Sequence, residues 1–202
     1  MANVAHSTLT GSNLHENKGV ASATDNHVAT AVSGATVWAK LTASNLTGTG
    51  NAFGAQLLHC QERKTVDGGA ITATTWTTRQ LTDAVTNEIS SASLATYQIS
   101  LPAGTYFAQC SATLQSEAGA HKIRLYNITD AAVILSGMPL RNNNGAPTGS
   151  ISLANGRFTL SGTKTIELQH YSVVANASAN AMGNATGTGT DVFSEVLIWK
   201  VG

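Results

Sequence analysis

The chain contains six histidines and two cysteines, the residue types most often used to bind transition metals. Among these only His59 and Cys60 are adjacent, and adjacent residues of a strand point to opposite faces, so the two do not readily share one metal ion. A three-fold axis could still assemble a site from one histidine per chain, and His15 beside Glu16 is the best candidate for it. We predict neither a metal nor a cofactor.

Nucleophilic catalysis would need a cysteine beside a histidine, for example Cys60 with His170 or Cys110 with His121. Both cysteines fall in strand-like segments, where a buried thiol is the usual role. The chain start shows no signal-peptide pattern, which favours two thiols over the alternative of one disulfide. The acidic residues are scattered, and turn chemistry explains several of them. We therefore predict no catalytic residues and a protein that is not an enzyme.

Charged residues make up 11% of the chain, with 11 Lys and Arg against 11 Asp and Glu, whereas a soluble domain averages about 25%. This balance disfavours nucleic acid as a partner, and no segment is apolar enough to predict membrane insertion. Lys122, Arg124 and Tyr126 would share one face of a strand and could contact a sugar or a phosphate. We expect them instead to form a solvated outer face, while Ile123 and Leu125 point to the core.

Small uncharged residues dominate the composition. Ala, Thr, Ser and Gly number 30, 27, 18 and 19, together 94 of 202 residues, which suits extended β structure. The first fifty residues hold few large apolar side chains, and their one strand-like segment lies at 35–41. The Gly-rich segment 48–51 indicates a boundary. We predict an extended attachment segment over residues 1–50 and a domain over residues 51–202.

From Phe53 onward, short segments of alternating apolar and polar residues are separated by turn signals. The clearest pair is a strand at 97–101, a Pro-Ala-Gly turn, and a strand at 105–115 with one apolar face. Further strands are predicted at 55–61, 121–128, 132–136, 149–153, 157–160, 165–174 and 192–201. This pattern predicts an all-β, antiparallel jelly-roll sandwich. The segment at 81–89 is a weak helix candidate.

The last predicted strand, 192–201, is apolar on both faces. Phe193, Leu197 and Trp199 lie on one face, and Val196 and Ile198 lie on the other. A strand of this kind needs a cover for its outer face. With no helix to provide it, we expect a neighbouring subunit to do so.

Two of these segments, 97–107 and 193–199, carry a family resemblance. Residues 55–202 resemble the trimeric jelly roll of the tumour-necrosis-factor and complement globular-head superfamily, as it occurs at the tips of bacteriophage fibres. The resemblance implies a homotrimer whose subunits meet through apolar outer faces. The residues predicted at that interface are Tyr97, Tyr106, Phe107, Phe193, Leu197 and Trp199.

The first segment resembles the opening segment of many tailed-phage virion proteins, through residues 9–11, 14–21 and 34–38. Such a segment attaches a fibre to the virion. The resemblance therefore implies contact with a capsid, portal, neck or tail protein. The residues predicted to make this attachment are Leu14, His15, Glu16, Lys18 and Trp38.

Together these features predict a structural protein on the exterior of a tailed phage: a short head or tail fibre, a spike or a decoration protein. Its knob would adsorb to the host surface, with a cell-surface glycan as ligand. Recognition in a sandwich usually lies in loops, so the predicted receptor-binding residues are Arg141, Asn142, Asn143, Asn144, Asn180 and Asn184. The alternatives are a capsid cement protein without a receptor and, less favoured, a surface-polysaccharide depolymerase.

Overall fold

The computed structural model describes residues 27–32, 35–40, 56–115, 119–142 and 149–202, with 27–32, 35–40 and Asn142 described by backbone alone. The chain divides into two compact units, Met1–Phe53 and Gly54–Gly202. In the first unit, strand β1 (His27–Val32) pairs antiparallel with β2 (Ala35–Lys40), which corresponds to the strand predicted at 35–41.

The second unit is an antiparallel jelly-roll sandwich of two sheets, as the sequence predicted. The seven-stranded sheet contains β4 (Trp76–Thr78), β6 (Ser93–Ala95), β7 (Gln98–Leu101), β9 (Gly119–Asn127), β10 (Ala132–Ser136), β11 (Leu140–Asn142) and β13 (Lys164–Ser172). These strands lie in the order β10, β9, β13, β7, β6, with β11 also paired to β9 and β4 to β13.

The five-stranded sheet contains β3 (Gln56–Lys64), β5 (Asp83–Asn87), β8 (Gly104–Gln115), β12 (Gly149–Leu160) and β14 (Asp191–Lys200). Its strands lie in the order β12, β8, β14, β3, β5. Within the described parts of the chain, no helix is long and apolar enough to cross a membrane.

The core lies between the two sheets and is built by period-two alternation. Along β8 the buried side chains are Tyr106, Ala108, Cys110, Ala112 and Leu114. Along β9 every second residue from His121 to Asn127 is buried. The predicted inward faces of these two segments are therefore confirmed, including Ile123 and Leu125.

Two predicted elements differ from the structure. The segments 149–153 and 157–160 form one strand, β12, which pairs with β8 along its whole length. The Asn155-Gly156 dipeptide resembles a turn in sequence, but both residues pair with β8, and the Leu135 side chain packs closely on Gly156. The weak helix candidate at 81–89 contains strand β5 instead, with Leu81 and Ile89 buried on either side of it.

A buried ion pair links the two sheets. Arg79 follows β4 and Glu62 lies in β3; both side chains are fully buried, and Arg79 Nη2 lies 2.7 Å from Glu62 Oε2. The guanidinium also donates to the carbonyl oxygens of Thr113, Met182 and Phe193. Paired and hydrogen-bonded in this way, Arg79 ties the loop at Met182 to both sheets.

The two cysteines are free, buried thiols, which confirms the sequence prediction over the disulfide alternative. Cys60 and Cys110 both pair with Val196, from opposite sides of β14. They therefore lie two strand spacings apart, about 9.5 Å. A disulfide requires Cα atoms within about 7 Å, so the sheet register itself keeps the two thiols from bonding.

Candidate functional site

An apolar band crosses the outer face of the five-stranded sheet. Leu57, Trp199 and Phe107 are neighbours on three adjacent strands, and Leu197 lies next along β14. The rings of Phe107 and Trp199 are 6.1 Å apart. On the edge strand β12, Leu153 and Ile151 face the same side with exposures of 40% and 54%; their neighbours on β8 are Ser111 and Thr113, and the β12 neighbour of Phe107 is Arg157. We call the six apolar residues the apolar band.

The predicted interface residues divide into two groups. Phe107, Leu197 and Trp199 lie in the apolar band, where the outward face of β14 was expected. Tyr97 lies elsewhere, in the turn between β6 and β7, with 39% of its surface exposed. Tyr106 is fully buried and donates its hydroxyl hydrogen to the carbonyl oxygen of Pro102. The prediction that Tyr106 faces another subunit is wrong, because it belongs to the inward face of β8.

Phe193 is also wrongly predicted to face a partner. A register shift between Val192 and Ser194 interrupts the pairing of β14 with β3, so the simple alternation of faces fails at Phe193. Phe193 is 5% exposed, whereas Val192 is 43% exposed. Gly183 packs so closely on the Phe193 ring that a side chain at Gly183 would lie 2.2 Å from it. The chain itself therefore covers Phe193.

The predicted receptor-binding residues that the structure describes lie on strand β11 and in the segment between β13 and β14. Arg141 is exposed on β11, Asn184 is exposed, and Asn180 is half-buried with its carbonyl oxygen bonded to the backbone of Gly183. Asn142 continues β11, while Asn143 and Asn144 lie outside the described residues.

The predicted attachment residues belong to the first unit. Leu14, His15, Glu16 and Lys18 lie outside the described residues, and Trp38 lies in β2, opposite Ala29. The attachment role of all five stays a prediction.

A second surface, on the outer face of the seven-stranded sheet, combines aromatic rings with cations. Trp76, Tyr171 and Lys122 are neighbours across β4, β13 and β9. The Arg124 guanidinium carbon lies 3.9 Å from the centre of the Trp76 ring and 4.2 Å from that of Tyr126. Lys122 Nζ lies 5.9 Å from the Trp76 ring centre. We call these five residues the aromatic–cationic face.

Polar side chains connect the members of this face. Arg124 Nε donates to Gln169 Oε1 at 2.6 Å, and Gln169 donates in turn to Glu167. Gln98 on β7 donates to the other oxygen of Glu167 at 3.4 Å. Glu167 and Gln169 point outward yet are 7% and 8% exposed, because the neighbouring side chains cover them.

The expectation that Lys122, Arg124 and Tyr126 form a solvated outer face is correct about the face but incomplete about their surroundings. All three side chains are half-buried and pack with a tryptophan from a three-residue strand, β4. Sequence reasoning missed Trp76 because β4 is too short to produce an alternating pattern, and it did not connect Tyr171, on the strand predicted at 165–174, with the outer face of β9. The available signal was a lone tryptophan among threonines, in the segment Thr74-Thr75-Trp76-Thr77-Thr78.

Sequence spacing also did not indicate a buried histidine pair. His121 Nδ1 and His170 Nε2 are 2.9 Å apart, and His121 Nε2 lies 2.6 Å from Ser150 Oγ on the other sheet. Burial lowers the pKa of His121 to about 4 and that of His170 well below its usual value. At neutral pH the pair is uncharged, and a base of such low pKa is poorly suited to activate the Ser150 hydroxyl.

The pKa values of the two cysteines are shifted upward instead, and this makes the thiols poorly suited to catalysis as well. Burial raises the pKa of Cys60 and of Cys110 to about 12, so neither is a thiolate at neutral pH. Across the described ranges, no three His, Cys, Asp or Glu side chains are grouped so that they could hold a metal ion.

No protein-family model matches the sequence, and no curated protein matches it. Similar solved structures include three crystal structures of murine APRIL, at pH 8.0, pH 5.0 and pH 8.5. They are 10%, 11% and 10% identical to this chain, with TM-scores of 0.48, 0.47 and 0.44. Each similarity covers 72% of this chain and 98% of the APRIL chain.

Proposed function

We propose that this chain is a homotrimeric, non-enzymatic structural protein on the exterior of a tailed phage. Gly54–Gly202 would be a knob that adsorbs to the host surface. The first unit would attach the protein to the virion, in line with its resemblance to the opening segments of tailed-phage virion proteins.

The observation that carries the proposal is the apolar band. Phe107 is 39% exposed at its centre, and Leu153 and Ile151 are more exposed at its edge. Four of its members, Leu57, Trp199, Phe107 and Leu197, are neighbours on adjacent strands, and monomeric soluble proteins rarely leave a large apolar patch open to water. A second and third copy of the chain would cover the band about a three-fold axis, since a closed ring buries the same patch on every subunit.

Light scattering on the purified full chain tests this association, and the expected mass is that of three chains. Phe107→Lys places a charge at the centre of the proposed interface and is expected to give single chains, because burying an unpaired charge is unfavourable. A chain that begins at Asn51 should remain trimeric if the second unit carries the association.

Val66→Lys is the matched control. Val66 is 66% exposed in a loop outside the apolar band, so this variant should keep the native mass. Circular dichroism of both variants should match that of the native chain, because both residues face outward. A native chain that is monomeric at all concentrations would contradict the proposal, and so would a Phe107→Lys variant that stays trimeric.

A further inference from the structure

The aromatic–cationic face holds two cations that form no direct ion pair within the described residues, although the Glu167 carboxylate acts on Arg124 from beyond contact distance. Arg124 uses its Nε hydrogen for Gln169, while none of its four Nη hydrogens has an acceptor within the described residues. The ion pairs of the described chain are His59–Glu195, Lys64–Glu62, Arg79–Glu62 and Lys164–Asp130, and thus none includes Lys122 or Arg124. Two neighbouring cations therefore share one surface without a carboxylate in contact.

This arrangement contrasts with the fully buried ion pair of Arg79 and Glu62. Arg79, also buried, is neutralised by Glu62 and satisfied by three carbonyl oxygens. Arg124 lies against two rings, where burial lowers its pKa in opposition to the charge of Glu167, and its fork of Nη hydrogens has no anion in contact. A guanidinium that is fixed in place with free donors is well arranged to take a carboxylate in bidentate geometry.

The rings indicate what else the ligand contains. Trp76, Tyr126 and Tyr171 are each half-buried, and the ring centres of Trp76 and Tyr171 are 5.2 Å apart with their planes inclined at 48°, so the two rings form an angled apolar surface, one part of which Arg124 covers. A pyranose ring has an apolar C–H face that packs on such a surface and hydroxyl groups that bind polar neighbours. Nucleic acid fits less well, because two cations in a chain of zero net charge neutralise few phosphates.

We propose that the aromatic–cationic face binds a carboxylate-bearing sugar of a surface polysaccharide, such as a uronic or sialic acid. Arg124 and Lys122 would hold the carboxylate, and the Trp76 and Tyr171 rings would contact the sugar ring. This inference rests on the proposed adsorption function for its biological meaning. It moves the ligand site from the loops at 141–144 and 180–184 to a strand face.

Isothermal titration calorimetry on the full chain tests the site with three acidic probes: trigalacturonate, a hyaluronan tetrasaccharide and sialyllactose. Maltotriose is the neutral probe and tripolyphosphate is the phosphate probe. The native chain should bind at least one acidic sugar and bind maltotriose and tripolyphosphate more weakly. Arg124→Gln should lower the affinity about tenfold or more, since it removes a charge-assisted bidentate contact.

Arg141→Gln is the matched control, because it removes the same charge from an exposed position on β11 of the same sheet. Its affinity should change by no more than about twofold. Trp76→Leu should weaken binding while keeping both cations. A loss caused by Arg141→Gln rather than Arg124→Gln would overturn the inference in favour of the loop.

Three further outcomes would overturn the proposal: no binding of any acidic sugar, equal binding of maltotriose, or tighter binding of tripolyphosphate. Each of these outcomes can be distinguished from a result that contradicts the proposed trimer. Sugar binding is measured per chain and can be repeated on the Phe107→Lys variant. A trimer that binds no sugar overturns only the ligand site, and a sugar-binding monomer overturns only the trimer.

Discussion

At the scale of single residues, we expect the buried histidine pair to make the protein less stable in acid. His121 and His170 bond to each other, and His121 also bonds to Ser150, so the pair crosses from one sheet to the other. Burial is the main reason that both pKa values are lowered; for His170 the nearby charge of Arg79 adds to it. In the unfolded chain both imidazoles would return to a pKa near 6.5.

We therefore expect the free energy of unfolding to fall as the pH drops from about 6.5 towards 4. In that range the unfolded chain binds protons that the folded chain excludes. For His121 alone, the difference between 6.5 and about 4 corresponds to about 3 kcal/mol. Urea denaturation at pH 7, 5.5 and 4.5 measures the loss.

The variant that carries both His121→Gln and His170→Gln should show a flatter dependence on pH, whatever its stability at pH 7. His59→Gln is the control, because His59 is partly exposed beside Glu195 and should leave the dependence steep. An equally steep loss in the double variant would mean that other groups cause it.

At the scale of elements, the hairpin of β6 and β7 has a turn that its residues do not favour. Ala95 pairs with Gln98, which leaves a two-residue turn at Thr96 and Tyr97 with φ values of 51° and 66°. Two successive positive φ values are those of a type I′ turn, for which Asn-Gly is the preferred sequence. A β-branched and an aromatic residue are strained in that conformation.

Replacing the pair by Thr96→Asn with Tyr97→Gly should raise the free energy of unfolding by about 1 kcal/mol or more. Tyr97→Phe is the control: it removes the hydroxyl but keeps the strained backbone, so it should give no gain. Denaturant midpoints of the three chains measure the effect. A double variant no more stable than the native chain would show that the turn is not strained.

The same hairpin illustrates which elements the sequence could predict. Long strands such as β8 and β9 were predicted with their correct inward faces, because alternation over nine or more residues is a strong signal. β6 is three residues long and is followed by Thr-Tyr, so neither alternation nor a turn dipeptide indicated it. The prediction for Phe193 failed because the register shift leaves Phe193 covered and Val192 exposed. Such a bulge depends on the neighbouring strand and the loop, and not on the sequence of β14 alone.

The residues of the candidate sites were harder to predict for a different reason. Arg124 was placed on the correct face of β9, but Trp76 reaches it only because β4 pairs with β13, and β13 pairs with β9. His121 and His170 are 49 positions apart and meet through the same β9–β13 pairing. Contacts between residues so distant in sequence depend on strand order, which the alternation of a single strand does not contain.

At the scale of the whole second unit, the two candidate surfaces lie on the outer faces of different sheets. The apolar band belongs to the five-stranded sheet and the aromatic–cationic face to the seven-stranded sheet. Association through the first would therefore leave the second open to a ligand. A trimer would present three copies of the sugar site, and many trimers on one particle would turn weak sites into strong adsorption.

The proposed role on a phage predicts what a particle would lose without the protein. Particles that lack the chain should adsorb to host cells more slowly and keep the heat stability of their capsid. A cement protein would give the reverse result: without it the capsid would be less heat-stable, and adsorption would be unchanged.

Particles carrying Arg124→Gln provide the sharper comparison. They should retain the trimer but adsorb at least about tenfold more slowly, because avidity multiplies the effect of weakening each single site. Arg141→Gln particles should adsorb like the native ones. Adsorption that is normal in the absence of the chain would exclude the adsorption role.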